Sequence, residues 1–115
     1  MLAKREIFIL LYDFYGGLLT EKQRTIFDLY YQCDLSLGEI AQDQEVSRQA
    51  VYDIIKRTEN TLEEYENKLG LVKKFMFSKD KLQKVLEILD GFEDSAGKDS
   101  IQDIVSLIKE LINEV

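Results

Sequence analysis

Apolar positions along the chain recur every three or four residues in each segment longer than ten, and nowhere do they alternate, so the pattern predicts helices and no sheet. The first helix is expected over about residues 4–15. Ile7, Leu11 and Phe14 stand there at 4,3 spacing, and Phe8, Leu10 and Tyr15 widen the stripe. Gly16-Gly17 can end it by supplying a left-handed residue. Thr20, with Gln23 three residues on, has the form of a capping box and opens a second helix that runs to about residue 34. Ile26, Leu29, Tyr30 and Cys33 share one face of it. Ser36 and Glu39 repeat the capping pattern ahead of a short third helix over 37–42, with Leu37, Ile40 and Ala41 inward. Ser47 caps the fourth, where Val51, Ile55, Thr58, Leu62, Tyr65 and Leu69 recur at 4,3,4,3,4 spacing. One unbroken helix over 47–69, about 35 Å long at 1.5 Å per residue, explains that rhythm. Its apolar seam is read as packing within the chain, against the first helix, in preference to a dimeric coiled coil. Gly70 then stands where a helix commonly turns left-handed. A fifth helix over about 79–89 follows a Lys-Lys-Phe-Met-Phe connection, and after a polar loop over 91–99 Ser100 caps a sixth. The fold class expected is all-α: a helix-turn-helix domain of about four helices with a long fourth, residues 1–71, and two C-terminal amphipathic helices, residues 72–115, forming a hairpin.

Composition narrows the function classes. The 115 residues are 45% hydrophobic and contain no proline, which suits long uninterrupted helices around a real core. There is no histidine and one cysteine, Cys33. A metal site normally needs several thiolates or imidazoles, and histidine is the usual general base near neutral pH. Neither a metal, nor a cofactor, nor an enzyme activity is expected, and Gly16-Gly17 lacks the Lys-Ser/Thr of a phosphate-binding loop. Cys33 is expected to be a core residue of the second helix, and a single reduced thiol suits a cytoplasmic protein. The apolar run 7–12 breaks at Asp13, far short of the roughly 18 residues that cross a bilayer, so no membrane insertion is expected. The formal net charge is −7, yet it is unevenly spread. Arg48, Lys56 and Arg57 face a single acid, Asp53, over 47–57, and Lys73, Lys74, Lys79, Lys81 and Lys84 face only Asp80 over 73–84. Two basic islands stand in an acidic body.

The segment from Leu37 to Ile55 carries the most information. A short helix with Glu39-Ile40-Ala41, a tight turn, then Val46-Ser47 and a second helix with Val51 and Ile54-Ile55 behind it has the spacing of a helix-turn-helix. Ala41 is small where two helices cross, Val46 plugs the turn, and Val51 packs the second helix on the first. Ser47, Arg48, Gln49, Tyr52, Asp53 and Lys56 then lie outward. Arg48 and Gln49 have the donors that pair with guanine and adenine edges, while Tyr52, Lys56 and Arg57 suit backbone contacts. Nucleic acid, DNA in preference to RNA, is one partner this surface fits; the same fold is also reused for protein contacts. Glu45 occupies the turn position where glycine or asparagine usually adopts positive φ, and Gln44 stands where an apolar residue often packs.

This segment resembles the second half of the sigma-factor domain that binds a promoter element. The run Ser47-Arg48-Gln49-Ala50-Val51-Tyr52-Asp53, continuing through Lys56-Arg57-Thr58-Glu59, Leu62, Tyr65-Glu66 and Lys68-Leu69-Gly70-Leu71, resembles the YlxM family of small bacterial helix-turn-helix proteins. The resemblance covers about residues 5–75 and is most specific over 47–71. It implies a cytosolic bacterial regulator acting in the signal recognition particle pathway, a component of that particle as another partner, and no enzyme activity. The leading expectation is thus a nucleic-acid-binding regulator with Ser47, Arg48, Gln49, Tyr52, Lys56 and Arg57 as its contact surface. The alternative is a non-catalytic adaptor that docks the same fold onto secretion or transcription machinery. Two readings stay open for the lysines of 73–84: a solvated face around two core phenylalanines, Phe75 and Phe77, or an RNA-phosphate surface. A homodimer is expected as well, because a single such module binds DNA weakly and the last two helices offer more apolar residues than they can hide from water alone.

Overall fold

The computed structural model describes residues 2–91 and 98–114, and among these every regular element is helical, so the fold is all-α. The helices are α1 (Lys4–Tyr15), α2 (Glu21–Phe27), α3 (Leu37–Gln44), α4 (Arg48–Leu69), α5 (Leu71–Asp90) and α6 (Lys98–Glu114). The chain divides into two compact units, Met1–Val72 and Lys73–Val115. No described helix is long and apolar enough to cross a membrane.

In the first unit, α4 is the central element and packs against α1, α2 and α3. Val51, Ile55, Thr58 and Leu62 are buried along the expected seam, Tyr65 is half-buried and Leu69 is exposed. The apolar side chains gather in two clusters. One holds Phe8, Leu11, Tyr15, Phe27, Tyr31 and Leu62; the other holds Ile26, Ile40, Ala41, Val51 and Ile55. Stacked aromatic rings tie the first together, with Tyr12 on Phe27 at 4.5 Å and Phe27 on Tyr31 at 4.4 Å between centroids. Such pairs contribute about 0.5–1.5 kcal/mol beyond the area they bury.

The buried face of α1 is turned by one residue from the expected stripe. Phe8, Leu11 and Tyr15 are inside, while Ile7 and Phe14 are exposed. Two stripes that share Leu11 overlap in this helix, and the aromatic partners Tyr31 and Tyr65 select the one that carries the rings. Gly16 ends α1 in an ordinary right-handed conformation, φ −56°, and the chain tightens into a 3-10 turn over Gly16–Leu18. What this position needs is space: a Cβ here would lie 3.1 Å from the Tyr12 ring.

The second helix departs further from expectation. Its Thr20–Gln23 capping box forms in both directions, but after Phe27 the backbone widens into a π turn over Asp28–Gln32. The extra residue in that turn advances the phase, so Phe27 and Tyr31 face the core and Cys33 is exposed. The cysteine is therefore not a core residue. Its N–H closes the π turn on the Asp28 carbonyl at 3.0 Å, and Asp34 ends the segment at φ 59°.

The start of α5 also differs. Gly70 reverses the chain in one left-handed residue, φ 63°, and the helix resumes at Leu71, eight residues before the expected start. The free donors of its first turn find side-chain acceptors from elsewhere in the unit. Leu71 N–H donates to the Tyr15 hydroxyl at 3.1 Å, and Val72 N–H donates to Glu66 Oε1 at 3.0 Å. Tyr15 itself donates to Glu66 at 2.6 Å. With these amides satisfied, no connection is required. Phe77, expected in a core, lies on the surface of α5. Beyond it, α6 begins at Lys98, so Ser100 lies inside the helix and does not cap it; residues 92–97 of the expected loop and Val115 fall outside the described residues.

Candidate nucleic-acid interface

The turn between α3 and α4 is built from local chemistry. Ser36 and Glu39 form a complete capping box on α3, at 3.0 and 3.1 Å. The backbone hydrogen bond from the Ser36 amide holds the Glu39 carboxyl below the usual carboxylate range. At the other end Glu45 takes the left-handed conformation, φ 56° and ψ 43°, and Val46 N–H reaches back to the Ala41 carbonyl at 3.1 Å. This is a helix-ending motif that normally uses glycine. The half-buried Val46 then packs against the Ile40–Val51 cluster, and Ser47 caps α4 by accepting from Ala50 N–H at 3.0 Å. Ala41 and Val51 are buried where the two helices meet. The arrangement is that of a helix-turn-helix, with α4 as its second helix.

All six candidate contact residues are on the surface, though not all on one side of α4. Arg48, Gln49 and Tyr52 line a groove of about 510 Å³ with Leu37. Tyr52 and Lys56 line a second groove, about 340 Å³, with Lys4 and Arg5 of α1 and with Tyr30, Tyr31 and Glu59. Leu37 and Tyr52 border both, so a single aromatic and basic channel runs beside α4 from Arg48 to the start of α1. Arg57 does not join it. That side chain lines a separate groove of about 460 Å³ with Lys22, Gln23, Asp53 and Ile54. Ser47 contributes its hydroxyl to the cap, which leaves it a positioning role.

Several polar groups of this face are already engaged. Gln49 donates to Asp53 at 3.0 Å, one helical turn on. Lys56 lies 5.7 Å from the Tyr52 ring centroid and 3.4 Å from Glu59. Glu59 is the feature that periodicity did not reveal, because the 4,3 seam passes through its neighbour Thr58. It is 6% exposed and accepts a hydrogen bond from the Tyr31 hydroxyl. Burial, then this hydrogen bond and the carboxylate's charge, push the Tyr31 hydroxyl far above the ordinary tyrosine range. Arg5 donates to the Tyr31 carbonyl and pairs with Asp34 at 2.6 Å. Lys4 and Arg5 were thus missed as neighbours of the reading helix. Their signal was the basic pair at the start of the first helix, unconnected in sequence with residues 48–56.

The fold and this face define a helix-turn-helix protein. The chain matches, over residues 2–104, the family described as "Putative helix-turn-helix protein, YlxM / p13 like". It belongs to that family. It is similar to the protein YlxM of Bacillus subtilis, at 50% identity over 101 residues covering 88% of this chain and 86% of the relative. A relative from Desulforamulus reducens is 46% identical over 105 residues, 91% of this chain and 90% of its own. Another, from Bacillus mycoides, is 48% identical over 111 residues, 96% and 99% of the two chains.

Proposed function

We propose that this chain is a non-catalytic, nucleic-acid-binding regulator that reads DNA with the exposed face of α4. The observation that carries the reading is the channel beside α4, where Arg48, Tyr52 and Lys56 continue into Lys4 and Arg5. On a chain of net charge −7, this is a place where cations and aromatic rings meet at a helix-turn-helix. Arg48 stands in solvent without an ion pair among the described residues and supplies a bidentate donor for a guanine edge; Gln49 becomes available to adenine once it releases Asp53. Lys56 and Arg57, on opposite sides of the helix, suit the phosphates of two strands. Ser47 holds the helix terminus toward the ligand. The site of action implied by the family resemblance is the cytoplasm, in the signal recognition particle pathway. A second copy of the chain supplies the other half-site.

Salt-dependent binding tests the proposal. A duplex selected from random sequence by the wild-type chain is titrated by fluorescence anisotropy over a salt series. Arg48→Ala weakens binding about tenfold or more and relaxes preference at one base position. Lys56→Gln weakens it for all sequences and lowers the salt slope by about one. Thermal melts accompany both, since Lys56 is a partner of the buried Glu59. Failure to select any duplex at low salt, or unchanged affinity in both variants, refutes the reading. One observation favours the adaptor alternative: Glu45 and Asp53 place negative charge beside the same face. A surface that binds a protein component of the machinery would show much weaker salt dependence.

A further inference from the structure

The two C-terminal helices each carry an apolar stripe that faces solvent. On α5 it consists of Phe77, Val85 and Ile88, and on α6 of Ile104, Leu107 and Leu111, with exposures from 44% at Val85 to 64% at Phe77. At 100° per residue each set spans less than about 90° of helix surface. These are second stripes. Leu82, Leu86 and Leu89 of α5 and Val105 and Ile112 of α6 lie on other faces and are half-buried or buried. Six large side chains exposed by about half offer on the order of 500 Å² of apolar area per copy. That matches the apolar share of a standard interface, in which each partner contributes about 800 Å² in all.

The charges on the stripes select the occupant. Lys81 and Lys84 fall within the α5 stripe, four residues after Phe77 and four before Ile88. Both are exposed, with Lys81 5.2 Å from the Phe77 ring centroid and Lys84 3.2 Å from Asp80. Asp103 and Glu110 border the α6 stripe, four residues before Leu107 and three after it, and are exposed. Laying α5 on α5 of another copy, or α6 on α6, sets like charge against like. Laying α5 on α6 of another copy sets lysines against carboxylates, and a two-fold axis makes that contact twice. Within one chain neither stripe covers the other, since both are exposed.

We infer that two copies of this chain pair through a two-fold interface in which the Phe77–Val85–Ile88 stripe of each seats on the Ile104–Leu107–Leu111 stripe of its partner, with Lys81 and Lys84 opposite Asp103 and Glu110. This deepens the two-chain part of the function proposed above. Its test uses no nucleic acid, so a failure of pairing and a failure of binding are read separately.

A charge exchange on the full chain tests it by sedimentation velocity at micromolar concentration. The wild type sediments at twice 13.4 kDa. The variant Lys81→Glu/Lys84→Glu and the variant Asp103→Lys/Glu110→Lys each lose that species and run as monomers. An equimolar mixture of the two regains it, because one copy then presents only acidic stripes and the other only basic ones. The chain with all four substitutions regains it alone. Recovery in the mixture shows that both variants are folded, and circular dichroism of each confirms it. A monomeric wild type at these concentrations overturns the inference and leaves the stripes to a different partner. Variants that remain dimeric, or a mixture that remains monomeric, overturn it equally.

Discussion

Replacing Glu45 with glycine should stabilise the first unit, although it removes a side chain from a helix-turn-helix. Glu45 sits at φ 56° and ψ 43°, where a Cβ crowds the following carbonyl at a cost of about 1–2 kcal/mol. Glycine removes that cost but enlarges the unfolded ensemble, which returns about 0.4–1 kcal/mol. The two backbone bonds that close the turn, Glu45 N–H to Gln42 at 3.3 Å and Val46 N–H to Ala41 at 3.1 Å, do not depend on the side chain. A net gain of about 0.5–1 kcal/mol follows, or roughly 3–6 °C in the melting temperature of a unit this size. Glu45→Ala separates backbone from charge, because it removes the carboxylate and keeps the Cβ. Thermal and denaturant unfolding by circular dichroism should show Glu45→Gly above wild type and Glu45→Ala at or below it. Both variants should bind a selected duplex somewhat more tightly, having lost the same negative charge. Equal stabilisation by alanine would mean that charge, and not backbone strain, sets the cost of this turn, and the reasoning would fail.

Alkaline pH should weaken the fold through its tyrosines. The Tyr31 hydroxyl is held far above its ordinary value, chiefly by burial, and Tyr12 and Tyr15 shift the same way for the same leading reason. The folded chain keeps protons that the unfolded chain releases near pH 10, so the stabilisation is complete below about pH 10 and declines above it. Tyr31→Phe should cost about 1–3 kcal/mol at neutral pH, because the buried Glu59 loses a donor, and should flatten the alkaline decline; denaturant midpoints between pH 8 and 11 check both. Cys33, exposed beside the π turn, should react with a disulfide reagent in the native chain about as fast as in denaturant. A rate limited by unfolding would return it to the core.

What the sequence made legible was local chemistry. Thr20, Ser36 and Ser47 cap the helices that follow them, Gly70 turns the chain, and the helix-turn-helix spacing from Ala41 to Val51 folds as read. What it hid was decided by residues distant along the chain. The inward face of α1 depends on rings from the π turn and α4, and a period shared by two stripes cannot choose between them. The early start of α5 depends on Tyr15 and Glu66, which accept from amides 56 and 6 residues away. A one-residue widening after Phe27 carries no signature in composition, yet it moved Cys33 from inside to outside. The candidate contact face was visible as a set of residue types on α4. Its division by the helix into two grooves, and the arrival of Lys4 and Arg5 beside Lys56, required the fold.

Because Val51 and Ile55 belong to one cluster and Leu62 to the other, α4 is held like a shaft in two bearings. Rolling it by one residue position, about 100°, would draw these side chains out of both clusters together, at a cost of several kcal/mol. The helix therefore has no inexpensive way to re-aim its outer face. Any change in what that face meets must come from exchanging the side chains at positions 48, 49, 52 and 56, and each of those exchanges leaves both bearings untouched.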